Sequence, residues 1–248
     1  MRIYHHTKFE NLEKIIGQDG LSFRGSYYEE FSNTDYKWTK RVVAPIIEKI
    51  CTLRKVEYDK DSTFKPIIIS FGIDPESNYI WENYAQQYNG IQLILDYKEI
   101  HQFAFTKLDY FGKCNYMHKR ERMKKFIEYN EYKKYNIGSI NDIQSNLEAV
   151  SALIKPIRFK KENEIRYIRD YSKIFEVNYE DYVRIGDSAF IDSVPCDNEK
   201  ERFILFPKET LLGVRIGYNS SEKLNDVKSY LEICGYDLFK VSVDIYKP

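Results

Sequence analysis

The chain has 248 residues, 43% hydrophobic and 31% charged, which is typical of an ordinary globular protein with a sizeable core. Lysine plus arginine equals aspartate plus glutamate at 38 each, so no overall field directs the protein to nucleic acid or to a membrane surface, and any polyanion site must be local. The four cysteines lie far apart, and their spacing with the four histidines indicates neither a disulfide framework nor a zinc site.

The N-terminal part of the chain alternates short apolar and polar segments. The first ten residues, MRIYHHTKFE, lack the apolar run of a secretory signal, and no later stretch reaches membrane-spanning length, so we expect a soluble cytoplasmic protein without a membrane partner. Residues 2–7 predict a strand, and the apolar spacing in KFENLEKIIGQDGL predicts a helix. Residues 25–38 are typical of a loop, and residues 38–55 predict a helix interrupted at Pro45.

The middle and C-terminal parts mix strands and helices. Residues 65–72 and 91–97 predict buried strands, and residues 74–90 predict a helix between them that ends at Gly90. Two further helices over 116–135 and 139–155 form a predicted helical insertion at about 115–154. Strands are predicted at 163–171, 188–194, 202–207, 211–217 and 237–246, with a helix at 220–235. The sequence contains no internal repeat and no low-complexity linker, so we expect residues 1–248 to form one α+β domain.

The segments YHHT and IWENYAQQYNG place polar groups at the edges of apolar elements. His5 and His6 are neighbours on a predicted strand and therefore face opposite sides of the sheet. For either one alone, a hydrogen-bonded core histidine is the simpler interpretation. Trp81, Tyr84 and Tyr88 follow helical spacing, for which packing on a sheet is the simpler interpretation. The polar ends of Trp81 and Tyr84 also suit a pocket wall, where a ring can stack on a base or on nicotinamide.

The segment ENEIR places charged side chains on every second residue of a predicted strand. Glu162, Glu164 and Arg166 would then share one face. One interpretation is a solvated face with a weak Glu–Arg pair. The segment becomes apolar after Arg166, however, so the carboxylates lie where the chain enters a core. A buried acid beside an arginine is costly unless paired, and it marks a candidate site.

Familiar catalytic and phosphate-binding motifs do not occur in the sequence. It contains no G-x-x-x-x-G-K-[ST], G-x-G-x-x-G, G-x-S-x-G or H-E-x-x-H pattern, and nothing indicates a Cys–His nucleophile. The run HKRERMKKF over residues 118–126 is strongly basic. A solvated helix face is the simpler interpretation of this run, and contact with phosphates is the alternative. Its basic residues are Lys119, Arg120, Arg122, Lys124 and Lys125.

Taken in chain order, these segments resemble the bacterial domain of unknown function 2971 family. The family's first strand carries a Y-H-Y-T-like motif and is followed by a helix; the corresponding segment is YHHTKFENLEKII, in which His6 stands at the second tyrosine. The family's next strand ends in F-S and corresponds to IISF. The pattern W-x-x-Y-A…G-x-x-[IL] corresponds to IWENYAQQYNGIQLIL, E-x-E-x-R to FKKENEIRYI, and G-x-x-[IL]-G to LLGVRIG. The family's F-N-D loop is only approximated by FSNTD at residues 31–35.

The family's layout is similar to the ADP-ribosyltransferase fold, which implies a mixed or antiparallel split β-sheet flanked by helices. On this similarity, His5 with Thr7 matches an H-x-T histidine that holds the adenosine ribose. Tyr84 or Trp81 would be the aromatic ring against nicotinamide, and Glu164 would be the catalytic glutamate.

The same similarity implies NAD as the substrate and no metal. Ser70 would match the serine of the fold's second strand. Arg166 would position a pyrophosphate oxygen or hold Glu164 in place, and Glu162 would engage the acceptor.

Three hypotheses follow. The first is an enzyme that transfers ADP-ribose from NAD to a protein or nucleic acid, or hydrolyses NAD, as a toxin or antiphage effector. The second is a non-catalytic module that binds a nucleotide or nucleic acid in the same cleft. The third is that the segments are only a packing signature, in which case His5, Tyr84 and Glu164 would not share a cleft. The sequence leaves open the acceptor, the oligomeric state, and whether a regulatory partner restrains the activity.

Overall fold

The structure is a computed structural model that describes residues 1–31, 39–59, 66–107, 109–134, 143–170 and 202–247. The strands are β1 (Arg2–Thr7), β2 (Ile16–Gly17), β3 (Gly20–Arg24), β4 (Ser26–Tyr27), β5 (Pro66–Gly72), β6 (Ile91–Asp96), β7 (Tyr110–Lys113), β8 (Asn115–Met117), β9 (Ile154–Pro156), β10 (Glu164–Asp170), β11 (Phe203–Phe206), β12 (Leu211–Gly217) and β13 (Ser242–Tyr246). The α-helices are α1 (Leu12–Ile15), α2 (Ala44–Leu53), α3 (Asn78–Tyr84), α4 (Tyr97–Thr106), α5 (Arg120–Lys134), α6 (Ile143–Ser151) and α7 (Leu224–Ile233).

One large mixed sheet organises the chain. Its strand order is β13-β12-β6-β1-β5-β10-β7, and β4 also pairs with β5. The β12–β13 pair is parallel, whereas the other pairs in this sheet are antiparallel. A smaller sheet has the order β11-β3-β2, and β8 pairs with β9. This architecture confirms the predicted α+β class with a mixed sheet flanked by helices.

The centre of the large sheet is open between β1 and β5. These strands pair only at Tyr4 and Gly72, whereas β1 pairs with β6 along its whole length. Farther along β5, β4 takes the place of β1 as the neighbouring strand, and Ser26 of β4 pairs with Ile68 of β5. The two strands therefore separate within the sheet, and the gap exposes polar groups that a continuous sheet would cover.

The described residues contain one apolar cluster on the large sheet and a second one built mainly from helices. Alternation along β5 sends Ile67, Ile69 and Phe71 into the main cluster, which also receives side chains from β1, β6, β10 and β12. A second cluster joins α2, α5, α6 and β9. No helix among the described residues is long and apolar enough to cross a membrane.

The predicted insertion at about 115–154 is bracketed by two short strands. Asn115 of β8 pairs with Ile154 of β9, and Met117 pairs with Pro156, in parallel. Helices α5 and α6 lie between these strands in the chain and connect them. The parallel pairing means that the segments following β8 and β9 leave from the same end of the pair.

Most predicted strands are confirmed. Those at 2–7, 65–72, 91–97, 163–171, 202–207 and 211–217 match β1, β5, β6, β10, β11 and β12, and the last strand is shorter than predicted. The helices predicted over 38–55, 116–135, 139–155 and 220–235 correspond to α2, α5, α6 and α7. The strand predicted at 188–194 and most of the segment FSNTD lie outside the described residues.

Several local predictions are wrong. The helix expected after residue 8 is a single turn, because the chain enters β2 at Ile16, and the loop predicted at 25–38 contains β4. Helix α4 and strands β2, β3 and β7 to β9 have no counterpart in the sequence prediction. The helix predicted to reach Gly90 ends at Tyr84, because Gln86, Gln87 and Tyr88 adopt left-handed backbone angles with φ of 48°, 53° and 66°.

Gly90 closes this left-handed turn against β1, and a test of the fold follows from it. A Cβ atom at Gly90 would lie 2.2 Å from the Thr7 carbonyl oxygen, which is backbone and cannot move aside. We expect Gly90→Ala to lower the free energy of unfolding by about 1–3 kcal/mol, measured by urea titration. Gly17→Ala is the control, because its Cβ would meet nothing closer than 3.8 Å. Equal stabilities of the two variants would contradict this packing.

Candidate active site

A cavity of about 420 Å³ opens where β1 separates from β5. Side chains from β1, β5, α3 and β10, and from the segment around β9, line it together with Arg24 and Ser26. The predicted site residues His5, Ser70, Tyr84, Glu162 and Glu164 are all among the lining residues. The structure therefore brings together residues that are as much as 159 positions apart in the sequence, which a packing signature alone would not require.

Glu164 provides the carboxylate at the inner end of this cavity. Its oxygen Oε1 accepts hydrogen bonds from the Ser70 hydroxyl and from Arg166 Nε, the latter at 2.9 Å. The other oxygen, Oε2, accepts from Lys155 Nζ at 2.6 Å. The Glu164 side chain is only 7% exposed, so these donors fix its orientation. Its backbone N–H donates to the Tyr116 hydroxyl at 2.8 Å.

The charge of Glu164 is set by two cations. Burial raises the pKa of the Glu164 carboxyl, but Arg166 and Lys155 outweigh burial and lower this pKa to about 2. Arg166 is fully buried and also donates to the Ala152 carbonyl at 2.6 Å. The resemblance implied that Arg166 either positions a pyrophosphate oxygen or holds Glu164 in place. The geometry matches the second role, because Arg166 does not line the cavity. The carboxylate is ionised throughout the neutral range.

His5 crosses the gap between the two strands. Its Nδ1 lies 3.1 Å from the Ser70 carbonyl oxygen, which can only accept, so the ring carries its proton on Nδ1. Burial lowers the pKa of His5 and outweighs the opposing effect of this hydrogen bond. Phe23 contacts the imidazole edge-on, with ring centroids 4.9 Å apart. His5 is therefore a neutral imidazole whose Nε2 is a hydrogen-bond acceptor.

Tyr84 and Glu162 form the outer part of the wall. Tyr84 is 48% exposed, and its hydroxyl donates to Glu162 Oε1 at 3.4 Å. The other Glu162 oxygen accepts from Lys155 Nζ. Burial and the nearby Glu162 raise the pKa of Tyr84, so its hydroxyl stays protonated. An aromatic face and two carboxylates are thus presented to the same cavity.

The strand face predicted for Glu162, Glu164 and Arg166 requires a correction. Glu162 ends a 3-10 segment, Ile157–Glu162, and β10 begins only at Glu164. Asn163 between them has a left-handed φ of 42°, so the period of two does not extend to Glu162. Both carboxylates nevertheless reach the cavity, because this turn redirects the chain between them.

Trp81 and Thr7 do not belong to the cavity wall. Trp81 is fully buried, stacks on Tyr246 at 4.4 Å between ring centroids, and donates from Nε1 to the Pro75 carbonyl. A buried ring in this stack cannot lie against a ligand in the cavity, so the prediction of Trp81 as a nicotinamide partner is wrong. The Thr7 hydroxyl accepts from Asn11 Nδ2 at 2.8 Å and is not a lining group.

Lys155 is the site residue that the sequence interpretation missed. It is 4% exposed and forms salt bridges with both Glu162 and Glu164. Its sequence signal is a lysine between Ile154 and Pro156 in an otherwise apolar stretch, at the end of the helix predicted over residues 139–155. Among the described residues, no three His, Cys, Asp or Glu side chains converge to hold a metal ion.

The ionised Glu164 predicts a pH-dependent contribution to stability. A carboxyl whose pKa falls from 4.5 to about 2 on folding stabilises the protein above pH 4.5, and this contribution is lost as the pH falls towards 2. At pH 7, Glu164→Gln should lower the free energy of unfolding by about 3–5 kcal/mol, since two buried cations lose their partner. The difference from wild type should shrink in urea titrations between pH 4.5 and pH 3.

Glu222→Gln is the matched control for this experiment, because Glu222 is exposed. Its free energy of unfolding at pH 7 should stay within about 0.5 kcal/mol of wild type. A Glu164→Gln deficit that is the same at pH 7 and pH 3 would show that the carboxylate is not held ionised.

One family match accompanies this geometry. Residues 80–167 match the sequence model of a family described as protein of unknown function (DUF2971). The match spans about a third of the chain and contains Tyr84, Lys155, Glu162, Glu164 and Arg166, whereas His5 and Ser70 precede it. No curated protein and no solved structure matches the chain. Over residues 80–167, this match confirms the resemblance to the DUF2971 family that was drawn from the motifs in this part of the chain.

Proposed function

We propose that the protein cleaves the bond between nicotinamide and ribose in NAD and transfers ADP-ribose to a macromolecule or to water. The observation that carries this proposal is the ionised Glu164 carboxylate, fixed by Ser70, Lys155 and Arg166 at the inner end of an open cavity. The volume of about 420 Å³ lies within the range of small-molecule sites, which is about 300–1,000 Å³.

The chemistry of this bond explains the need for such a carboxylate. As the bond to nicotinamide breaks, positive charge develops on the ribose C1 and ring oxygen. A preorganised anion in a site with little water stabilises this charge and needs no reorganisation during the reaction. Nicotinamide leaves as a neutral molecule with the bonding electron pair, the acceptor adds to C1, and the acceptor's proton passes to solvent. Glu164 would supply the anion.

The other lining residues support binding rather than bond cleavage. The acceptor nitrogen Nε2 of the neutral His5 can receive a hydrogen bond from a ribose hydroxyl. The half-exposed ring of Tyr84 offers a face on which nicotinamide can stack. Lys155 and Arg166 act by holding the Glu164 carboxylate in place.

A cytoplasmic enzyme with this activity would consume NAD or modify macromolecules in its own cell, which is consistent with a toxin or an antiphage effector.

The proposal is tested by nicotinamide release from NAD. We expect Glu164→Gln to reduce the rate by roughly 10²–10³-fold, the usual cost of removing one electrostatic interaction with the transition state. Glu222→Gln should retain the wild-type rate. Circular dichroism confirms that each variant is folded, and Glu164→Asp, which keeps the charge, gives a second test with an intermediate rate. Absence of nicotinamide release by wild type, with or without cell extract, would contradict the proposal.

The same assay distinguishes the rival hypothesis of a non-catalytic binding module. NAD or a nucleotide would raise the melting temperature of such a module, because a ligand that binds the folded state stabilises it. The module would release no nicotinamide. Turnover that depends on Glu164 favours the enzyme, and stabilisation without turnover favours the module.

A further inference from the structure

A basic surface lies beside the cavity at one end of the β8–β9 pair. Since Met117 pairs with Pro156 in parallel, the segments that follow them, 118–125 and Ile157–Glu162, start next to each other. Both segments are basic. We call these two segments the basic rim. The basic residues of the rim are Lys119, Arg120, Arg122, Lys124, Lys125, Arg158, Lys160 and Lys161.

The charge of the basic rim is concentrated and accessible. The whole chain is neutral, with 38 basic and 38 acidic residues, so eight cations in two short segments are a local excess. The rim contains two acids, Glu121 and Glu162, and Glu162 is already paired with Lys155. Lys119, Arg120, Lys160 and Lys161 are exposed, and none of them forms an ion pair with a carboxylate among the described residues. This surface is complementary to a polyanion.

The basic rim is physically continuous with the cavity. The 3-10 segment that carries Lys160 and Lys161 on its exposed side also contributes Phe159 and Glu162 to the cavity lining. The Arg158 guanidinium lies 4.8 Å from the centre of the Phe159 ring. The half-exposed ring of Tyr84, whose hydroxyl donates to Glu162 of this segment, lines the same cavity. Cations beside aromatic faces form the kind of surface that binds unpaired nucleotides.

We infer that the basic rim binds single-stranded nucleic acid and presents one nucleotide of the bound strand to the cavity as the acceptor. The phosphates contact the lysine and arginine side chains, and an unstacked base lies against Phe159, while Tyr84 remains available to nicotinamide. The acceptor half of this inference rests on the proposed function. In that step a base or sugar heteroatom bonds to ribose C1 as the bond to nicotinamide breaks, and the heteroatom's proton goes to solvent. A duplex fits less well, because its bases are already stacked and paired.

Binding is tested without NAD, by fluorescence anisotropy of a labelled single-stranded oligonucleotide with the full chain. The test variant combines Lys119→Gln, Arg120→Gln, Lys160→Gln and Lys161→Gln, and its Kd should rise at least tenfold at low salt. The slope of log K against log salt should become shallower by about 0.7 for each phosphate that the variant no longer neutralises. The control variant changes four other exposed lysines to glutamine and should bind as wild type; these are Lys14, Lys98, Lys240 and Lys247.

Transfer to the strand is then measured by mass spectrometry of the oligonucleotide after incubation with NAD. Wild type should add one ADP-ribose, Glu164→Gln should add none, and the rim variant should release nicotinamide without modifying the strand. Equal binding by the rim and control variants, or tighter binding of a duplex, overturns the inference. Nicotinamide release with no modified strand also overturns it and leaves the proposed function standing. Binding without nicotinamide release contradicts the proposed function and the acceptor half of the inference with it, and leaves only the binding half standing.

Discussion

The separation of β1 from β5 is the constraint on which the candidate site depends. A continuous sheet would use the backbone groups of both strands in a ladder and cover their side chains with packed elements. Here the ladder is reduced to the pair Tyr4 and Gly72, and the His5 side chain reaches the Ser70 carbonyl across the gap. This gap gives the cavity its position, and it turns strand residues that would otherwise be packing positions into lining groups.

A second constraint is the cost of burying the Glu164 carboxylate. Desolvation of an isolated charge costs far more than one hydrogen bond returns, so an ionised buried acid is stable only among well-placed donors. The donors come from Ser70 in β5, Lys155 in β9 and Arg166 in β10. The carboxylate is therefore satisfied only when three separate parts of the chain have assembled, and the result is an anion held rigidly before any ligand arrives.

The sequence predicted the part of the site that periodicity and local chemistry control. Continuous apolar runs located β5 and β6, and Glu164 beside Arg166 at the entry to a core indicated a buried ion pair, which the structure contains. Lys155 was missed because its role is set by strand pairing between distant segments, which no local pattern records. Trp81 was misplaced because helical spacing alone does not distinguish a buried stack from a cavity wall.

The central claim is that the ribose of NAD binds next to Glu164, and a crystal structure of the Glu164→Gln variant with NAD tests it most directly. The account predicts that a hydroxyl of the ribose attached to nicotinamide lies within about 2.7–3.2 Å of the side chain at position 164. The nicotinamide ring should then lie against Tyr84. A dinucleotide bound outside the gap between β1 and β5, or with its nicotinamide ribose turned away from position 164, would contradict the account.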